Sequence, residues 1–508
     1  MFEKFREGVV VRPYERLSLE QIRAIDQASM DILDAPGVFC YNQEAADIFK
    51  QYGARVKQID SQYWNISLPA GLIREAVAAA PSVVKLGARK PENTLLLDAS
   101  VPRVYFGSGS ESNIWLDTQM ATFVHSENSH VKKEIPLFKP CRGTVSHLCK
   151  AAQLGEHLEH LDFFIRPLNI QDEDITPQNH DVNKFFASLN NITKHVQAGL
   201  TELNQLDNVV LMGEIIAGGK QALRENPILS FITCVFKSPL QMVGDTTNKL
   251  IEIAKRGLPL VISSSPQGGS SAPIQEAGMV AQINAELLCG ITLAQLVRKG
   301  TPVLYGSVPV RSRMDDLHDM YGAPEFNQYN IDCVQMARFY NIPCYSTAGV
   351  GDAKVPGVQA TIEKLFTHLA IAMSGAHYIH YAFGLLEQTN TFCPVQAVLD
   401  NEQIGLIKHF LRHPRMSGAD MEEALRQIRR VMSSPHKLFA RFVRKSLHKG
   451  EISPPYAFES KDAEDLVISK ALVRMDALLK KPVEHLPPEI IDTIFSKIPG
   501  ILPRLRTH

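Results

Sequence analysis

The chain has 508 residues, is 45% hydrophobic and carries a formal net charge of -1. That is enough apolar material for a large core and more than one structural layer. The 53 basic residues are scattered without a long like-charge block, so neither a nucleic acid nor an anionic membrane is expected as a partner.

Eight cysteines (Cys40, Cys141, Cys149, Cys234, Cys289, Cys333, Cys344, Cys393) are widely spaced and form no CxxC pair. Neither a zinc ribbon nor a redox motif is supported, and a reduced, cytoplasmic setting is expected. The start, MFEKFREGVV, has no apolar core of a signal peptide, and no apolar run reads as long enough to cross a bilayer.

Residues 1–100 read as an extension of helices and a hairpin. A helix begins after Ser18, with Gln21 at the capping-box position, and Pro36-Gly37 ends it. Further helices are expected at about 43–52 and 69–80, followed by a hairpin of 83–87 with 94–98.

From residue 101 to 400 the pattern becomes rhythmic. Eight short apolar strands are expected at 103–107, 163–169, 195–199, 229–235, 258–265, 303–308, 344–349 and 377–383, with helical stretches between most of them. Eight strand–helix repeats point to a (β/α)₈ TIM barrel of the α/β class, and the alternative is a doubly wound open sheet. The stretch 266–307 is the clearest unit, a Gly/Ser-rich loop, a long apolar helix and a closing strand. Residues 401–508 turn helical and more charged, an extension expected to pack on the barrel or on another subunit, so a homo-oligomer is expected.

Barrel active sites lie at the C-terminal ends of strands. Glycines gather there (Gly107, Gly109, Gly268, Gly269, Gly349, Gly351), where they either let a ligand approach the backbone or only shape turns. Aromatic residues are also frequent (Tyr105, Phe106, Trp115, Tyr321, Tyr378, Tyr381, Phe383, Phe392). Two or three could cage a quaternary ammonium through cation–π attraction; the alternative for each is core packing. Arg311 and Arg313 follow an apolar strand and could fork a carboxylate, or pair locally with Asp315 and Asp316. No metal motif, P-loop or nucleophile elbow is present, and His377 and His380 fall on opposite faces of a strand.

Phe106-Gly107-Ser108-Gly109, Gly268-Gly269-Ser270-Ser271, Asn284-Ala285-Glu286, the run Gly290 to Leu296, Tyr305-Gly306-Ser307, and Asp352-Ala353-Lys354-Val355-Pro356 with Gln359 occur in order along the chain. In these the chain resembles the trimethylamine methyltransferase family from about residue 17 to 400. The resemblance implies a (β/α)₈ barrel that moves a methyl group from an amine to the cobalt of a separate corrinoid (cobalamin) protein, with no cofactor held tightly by this chain. The archaeal trimethylamine enzymes carry pyrrolysine shortly before the Asp-Ala-Lys-Val-Pro stretch, and the matching residue here is Val350. Valine has no electrophilic imine, so the resemblance implies a pyrrolysine-independent member acting on a quaternary amine, glycine betaine first, giving dimethylglycine.

A quaternary ammonium leaves as a neutral tertiary amine, so no general acid is required and Co(I) of the partner is the nucleophile. Betaines carry a carboxylate that trimethylamine lacks, which favours Arg311, nearer its strand, and then Arg313 as its ligand. Tyr105, Phe106, Tyr381 and Phe383 are the cage candidates. Glu111, Gln267 and Asp352 are candidates for polar contacts or corrinoid docking. Proline betaine, carnitine or choline in the same reaction, and a betaine-binding protein without turnover, are the alternatives.

Overall fold

A computed structural model describes residues 5–109, 111–124, 132–459 and 466–507. Its centre is a curled parallel sheet of eight short strands: β1 (Arg103–Phe106), β2 (Phe163–Ile165), β3 (His195–Ala198), β4 (Leu229–Cys234), β5 (Leu260–Ser264), β6 (Val303–Ser307), β7 (Cys344–Thr347) and β8 (Tyr378–His380). Their order in the sheet is β1-β8-β7-β6-β5-β4-β3-β2, and Val9–Val10 adds an antiparallel strand beside β1. The two end strands approach each other. Gly107 forms one parallel bridge with Phe163, and the Asp162 N–H donates to the Phe106 carbonyl at 2.6 Å. The buried Asp162 side chain accepts the Phe106 N–H at 2.8 Å and is neutralised by Arg6 at 2.5 Å and Lys408 at 2.7 Å.

Each strand lies where the apolar runs predict it, but several end earlier because the last residues of each run turn into the following loop. Between the strands run α1 (Val145–His157), α2 (Pro177–Asn191), α3 (Leu206–Ala217), α4 (Gly244–Arg256), α5 (Glu276–Val297), α6 (Pro324–Phe339) and α7 (Val358–Met373). Helix α5 shows no single apolar stripe and is buried all round from Met279 to Gln295, as a helix covered on every side should be. Its outer face lies under the N-terminal helices Leu19–Asp34, Gln43–Gln51 and Ala70–Ala79. Polar side chains stitch this layer: Asn284 donates to Ser29 Oγ at 2.8 Å and accepts from the Tyr305 hydroxyl at 2.9 Å. By length and composition alone α5 could span a bilayer, contrary to the sequence reading, but 89% of its most apolar window is buried inside the fold.

The expected hairpin forms from Val83–Leu86 and Leu95–Asp98. Val84, Leu86, Leu95 and Leu97 pack against Tyr105, Phe163, Val261, Leu304 and Tyr378. These lie toward the strand N-termini, so the hairpin plugs that end of the curled sheet and leaves the opposite end for the site.

One element was not expected. Ile114–Val124 pairs antiparallel with Lys132–Arg142, a long hairpin between β1 and α1 that also takes Thr391–Phe392 as a short parallel strand. After β8 the chain continues through α8 (Pro394–Phe410), α9 (Gly418–Met432) and α10 (Ala440–His448) to helices Val467–Leu479 and Pro488–Lys497.

Candidate functional site

A cavity of about 400 Å³ opens at the C-terminal ends of the strands. Its wall is built from Arg166 beyond β2, Ala198 and Gly199 at the end of β3, Ile232 to Cys234 of β4, Tyr345 of β7, Tyr381 beyond β8 and Glu111 beyond β1. Tyr381 has φ +66°, a left-handed conformation that a bulky residue rarely adopts. Its ring is held against the His380 ring, centroids 3.8 Å apart, and His380 in turn stacks on Tyr345 at 4.0 Å. The glycines after β1 serve this packing. A Cβ on Gly109 would stand 2.9 Å from the Tyr381 ring, and one on Gly107 would collide with the Phe163 ring. These two positions are filled by the protein's own aromatic rings rather than left open for a ligand.

Arg166 is one of two cations lining this cavity; the other, Lys249, is paired with Asp245 at 2.5 Å. Arg166 is 1% exposed. Its guanidinium pairs with Glu111, and its Nε has no hydrogen-bond partner among the described residues. Burial lowers its pKa to about 10, opposed by the Asp181 charge, so it remains a cation at neutral pH. Behind it lies a second buried pair, Lys184 Nζ to Asp181 Oδ1 at 2.5 Å. The Asp181 carboxylate accepts the Thr201 and Glu202 N–H groups at 2.9 Å, and Lys249 donates to the Thr201 carbonyl at 2.9 Å. These bonds fix the loop after β3 that forms one wall. Desolvation in the cavity wall raises the pKa of Cys234, Tyr345 and Tyr381, Cys234 being open to the cavity itself, so all three face it as neutral groups and poor acids.

A second, more polar groove of about 920 Å³ lies alongside. Segment 388–390 is shared between the two, with Thr389 on the cavity and Gln388 and Asn390 on the groove. Arg311, Arg313, Asp319 and Asp352 line the groove. Asp352 accepts the Tyr321 and Gly322 N–H groups at 3.0 Å. Burial pushes its carboxyl above the usual range, and those two hydrogen bonds oppose the rise. Gln267 reaches the same place by donating to Asp319 at 2.7 Å. Arg311 stands 3.6 Å from Glu325, and both Arg311 Nε and Glu325 Oε2 are buried without hydrogen-bond partners among the described residues. Arg313 pairs with Asp315 at 3.0 Å.

The structure therefore divides the residues singled out in the sequence. Glu111 and Tyr381 meet at the cavity, while Arg311, Arg313, Gln267 and Asp352 gather at the groove. Tyr105, Phe106 and Phe383 reach neither. Tyr105 packs at the plugged end, its hydroxyl donating to the Arg6 carbonyl at 2.9 Å. Phe106 alternates to the outer side of β1, edge-on to His368 at 6.2 Å and beneath Lys408. Phe383 is buried in the main hydrophobic core. Val350 is fully buried in the same core, next to Gly349 at φ +77°. Arg166 and Tyr345 are among the cavity residues that the sequence reading did not single out. The signal for Arg166 was a lone arginine ending the apolar run Phe163-Phe164-Ile165.

The model of a family described as trimethylamine methyltransferase matches residues 8–442. Among curated proteins, a trimethylamine methyltransferase of Desulfitobacterium hafniense (strain DSM 10664 / DCB-2) is 31% identical over 389 residues, covering 77% of this chain and 73% of its own. One from Methanosarcina thermophila is 30% identical over 397 residues, covering 77% and 76%. A glycine betaine methyltransferase of Desulfitobacterium hafniense (strain Y51) is 25% identical over a longer span of 450 residues, 88% of this chain and 87% of its own.

Proposed function

The chain belongs to the trimethylamine methyltransferase family, and from that premise we propose that it demethylates a zwitterionic quaternary amine, glycine betaine first, passing the methyl group to Co(I) of a separate corrinoid protein. In this reading the curled sheet, with its Gly107–Phe163 bridge, is a closed (β/α)₈ barrel. The protein works without pyrrolysine, because Val350 stands at the matching position.

One observation carries the substrate class: a buried, incompletely bonded guanidinium, Arg166, shares a cavity with the rings of Tyr345 and Tyr381 and the carboxylate of Glu111. A betaine needs both signs of site. Its carboxylate takes the guanidinium fork, which pairs with planar anions. Its methylated ammonium meets aromatic faces and the Glu111 charge released from Arg166. The poor acids at the cavity agree with a leaving group that departs as a neutral tertiary amine and requires no proton.

Co(I), delivered as a second substrate on its own protein, supplies the nucleophile. The groove fits such a partner: it is open and polar, adjoins the cavity, and presents Arg311, Arg313, Gln388 and Asn390 as donors toward the amide-rich edge of a corrinoid. Arg311 and Arg313 move in this reading from the substrate carboxylate to docking. The cavity, at about 400 Å³, also has room for proline betaine or carnitine. Choline is disfavoured because it has no anion for Arg166.

Product analysis tests this. With a reduced corrinoid protein and glycine betaine, proton NMR should show dimethylglycine formed in proportion to the corrinoid protein added. Dimethylglycine absent, with demethylated product from a larger betaine, would move the assignment to that betaine. Tight ligand binding with no product from any of them would make this a binding protein.

A further inference from the structure

Helices α9 and α10 leave an apolar surface that the rest of the chain does not cover. In α9, Met421, Leu425, Ile428 and Met432 are spaced four, three and four residues apart. That is the seam of a coiled coil, with every member on one stripe of the helix. All four are between 46% and 56% exposed, from Ile428 at 46% to Met432 at 56%. Val431, on the adjoining flank, is the buried residue of the helix among those described, so α9 rests on the body by one edge and turns its seam outward.

Helix α10 and the residue before it add apolar side chains four residues apart. Phe439, Val443 and Leu447 are also exposed. Arg415 pairs with Glu451 at 3.0 Å and Arg412 donates to the Gly450 carbonyl at 2.8 Å. Those two contacts bring the end of α10 back to the start of α9, so the helices run antiparallel as a hairpin. An α9 of 15 residues is only about 22 Å long, short for an independent coiled coil, and a hairpin doubles the available face.

The charges on the flank indicate what covers it. The first half of α9 is acidic (Asp420, Glu422, Glu423) and the second half basic (Arg426, Arg429, Arg430). We propose that this face docks against the same face of a second copy of the chain, with the two α9 helices antiparallel about a twofold axis and the α10 helices completing a four-helix bundle. Antiparallel pairing sets Leu425 against Ile428 of the second copy and Met421 against Met432 of the second copy. It also places Glu422 beside Arg429 of the second copy, twice by symmetry. A parallel pairing would put like charges together along the same edge. An isologous contact of this kind closes on itself and leaves no open edge for fibres. The inference stands apart from the proposed chemistry.

Sedimentation equilibrium of the full chain tests it. The chain should self-associate into a dimer or an even multiple of one. Ile428→Glu, which buries a charge in the seam, should weaken that association about a hundredfold or more. Glu422→Arg alone and Arg429→Glu alone should each weaken it about tenfold by setting like charges opposite, and the two together should restore it. The substituted side chains are exposed, so at dilutions where the parent itself is monomeric the thermal midpoint should not move, and restoration by the double variant excludes a misfolded single variant. A monomer at every concentration, association indifferent to Ile428→Glu, or a double variant weaker than either single one would overturn the proposal. So would Ile428→Glu abolishing capture of the corrinoid protein while the free chain sediments as before.

Discussion

Arg166→Ala should weaken glycine betaine binding by about a hundredfold, roughly 3 kcal/mol, measured by titration calorimetry. The size follows from burial. A guanidinium 1% exposed, with an unbonded Nε among the described residues, meets a carboxylate in a low-dielectric wall where the charge-assisted bond is little screened. The fold should survive, because the variant removes a buried charge rather than stranding one: its carboxylate partner, Glu111, is largely exposed. Arg166→Lys should recover only part of the loss, since an ammonium keeps the charge but not the fork. Choline affinity should fall far less in Arg166→Ala, because choline brings no carboxylate. Arg311→Ala should leave betaine affinity within about twofold, because Arg311 lies in the groove beside Glu325. Equal betaine affinity in Arg166→Ala and the parent would remove Arg166 from the site. A large loss in Arg311→Ala instead would return the carboxylate to that residue.

The second large effect concerns stability. Asp400→Ala should cost about 3–5 kcal/mol in urea unfolding, because it leaves a buried ammonium without its counter-charge. Lys364 and Asp400 are both fully buried and 3.2 Å apart. Asp400 also accepts the Gly384 N–H at 2.7 Å and the Gln396 amide at 2.9 Å. Lys364 donates to the carbonyls of Gly349 and Leu385, and thus ties the loop after β7 to the loop after β8. That tie holds the backbone beside Val350. Burial pushes both groups toward their neutral forms and each partner's charge opposes the change, which is why the pair holds only while both members are present. Asp400→Asn, which keeps an acceptor for Gly384 but not the charge, should fall between the two. A loss below about 1 kcal/mol for Asp400→Ala would show that water or rearrangement satisfies Lys364.

Much of the architecture was readable because burial leaves a signature in composition. The parallel strands are covered on both faces, so several read as short, nearly continuous apolar runs, such as Leu260–Ser264. The Ser18 capping box was equally local, and it forms as its spacing predicts, Gln21 N–H to Ser18 Oγ at 3.2 Å. The long hairpin was missed although Ile114, Leu116, Thr118 and Met120 alternate with Trp115, Asp117 and Gln119. Its apolar and polar residues are mixed on both faces, so no clean two-residue alternation marks it.

The site was harder to read, because strand alternation decides which side chains point inward, and one residue of register reverses it. Phe106 and Tyr105 are neighbours on β1, yet neither reaches the cavity: one faces the helices and the other the plug. Arg166 and Tyr345 reach it because their positions fall on the inner face near the open end. Arg311 and Arg313 were recognisable as a cation pair, but only the chain path showed a short strand, Val310–Ser312, that pairs Arg311 with Gly268, with Arg313 just beyond it, away from the cavity.

The most direct test of the central claim is spectral. A corrinoid protein reduced to Co(I) is mixed with this chain, and glycine betaine or trimethylamine is added while the Co(I) and methyl-Co(III) bands are followed. The account predicts conversion with glycine betaine and none with trimethylamine, the corrinoid protein having first been shown competent with methyl iodide. Conversion with trimethylamine but not with glycine betaine would contradict it, and would show that Val350 is no bar to a tertiary amine and that Arg166 does not select a carboxylate.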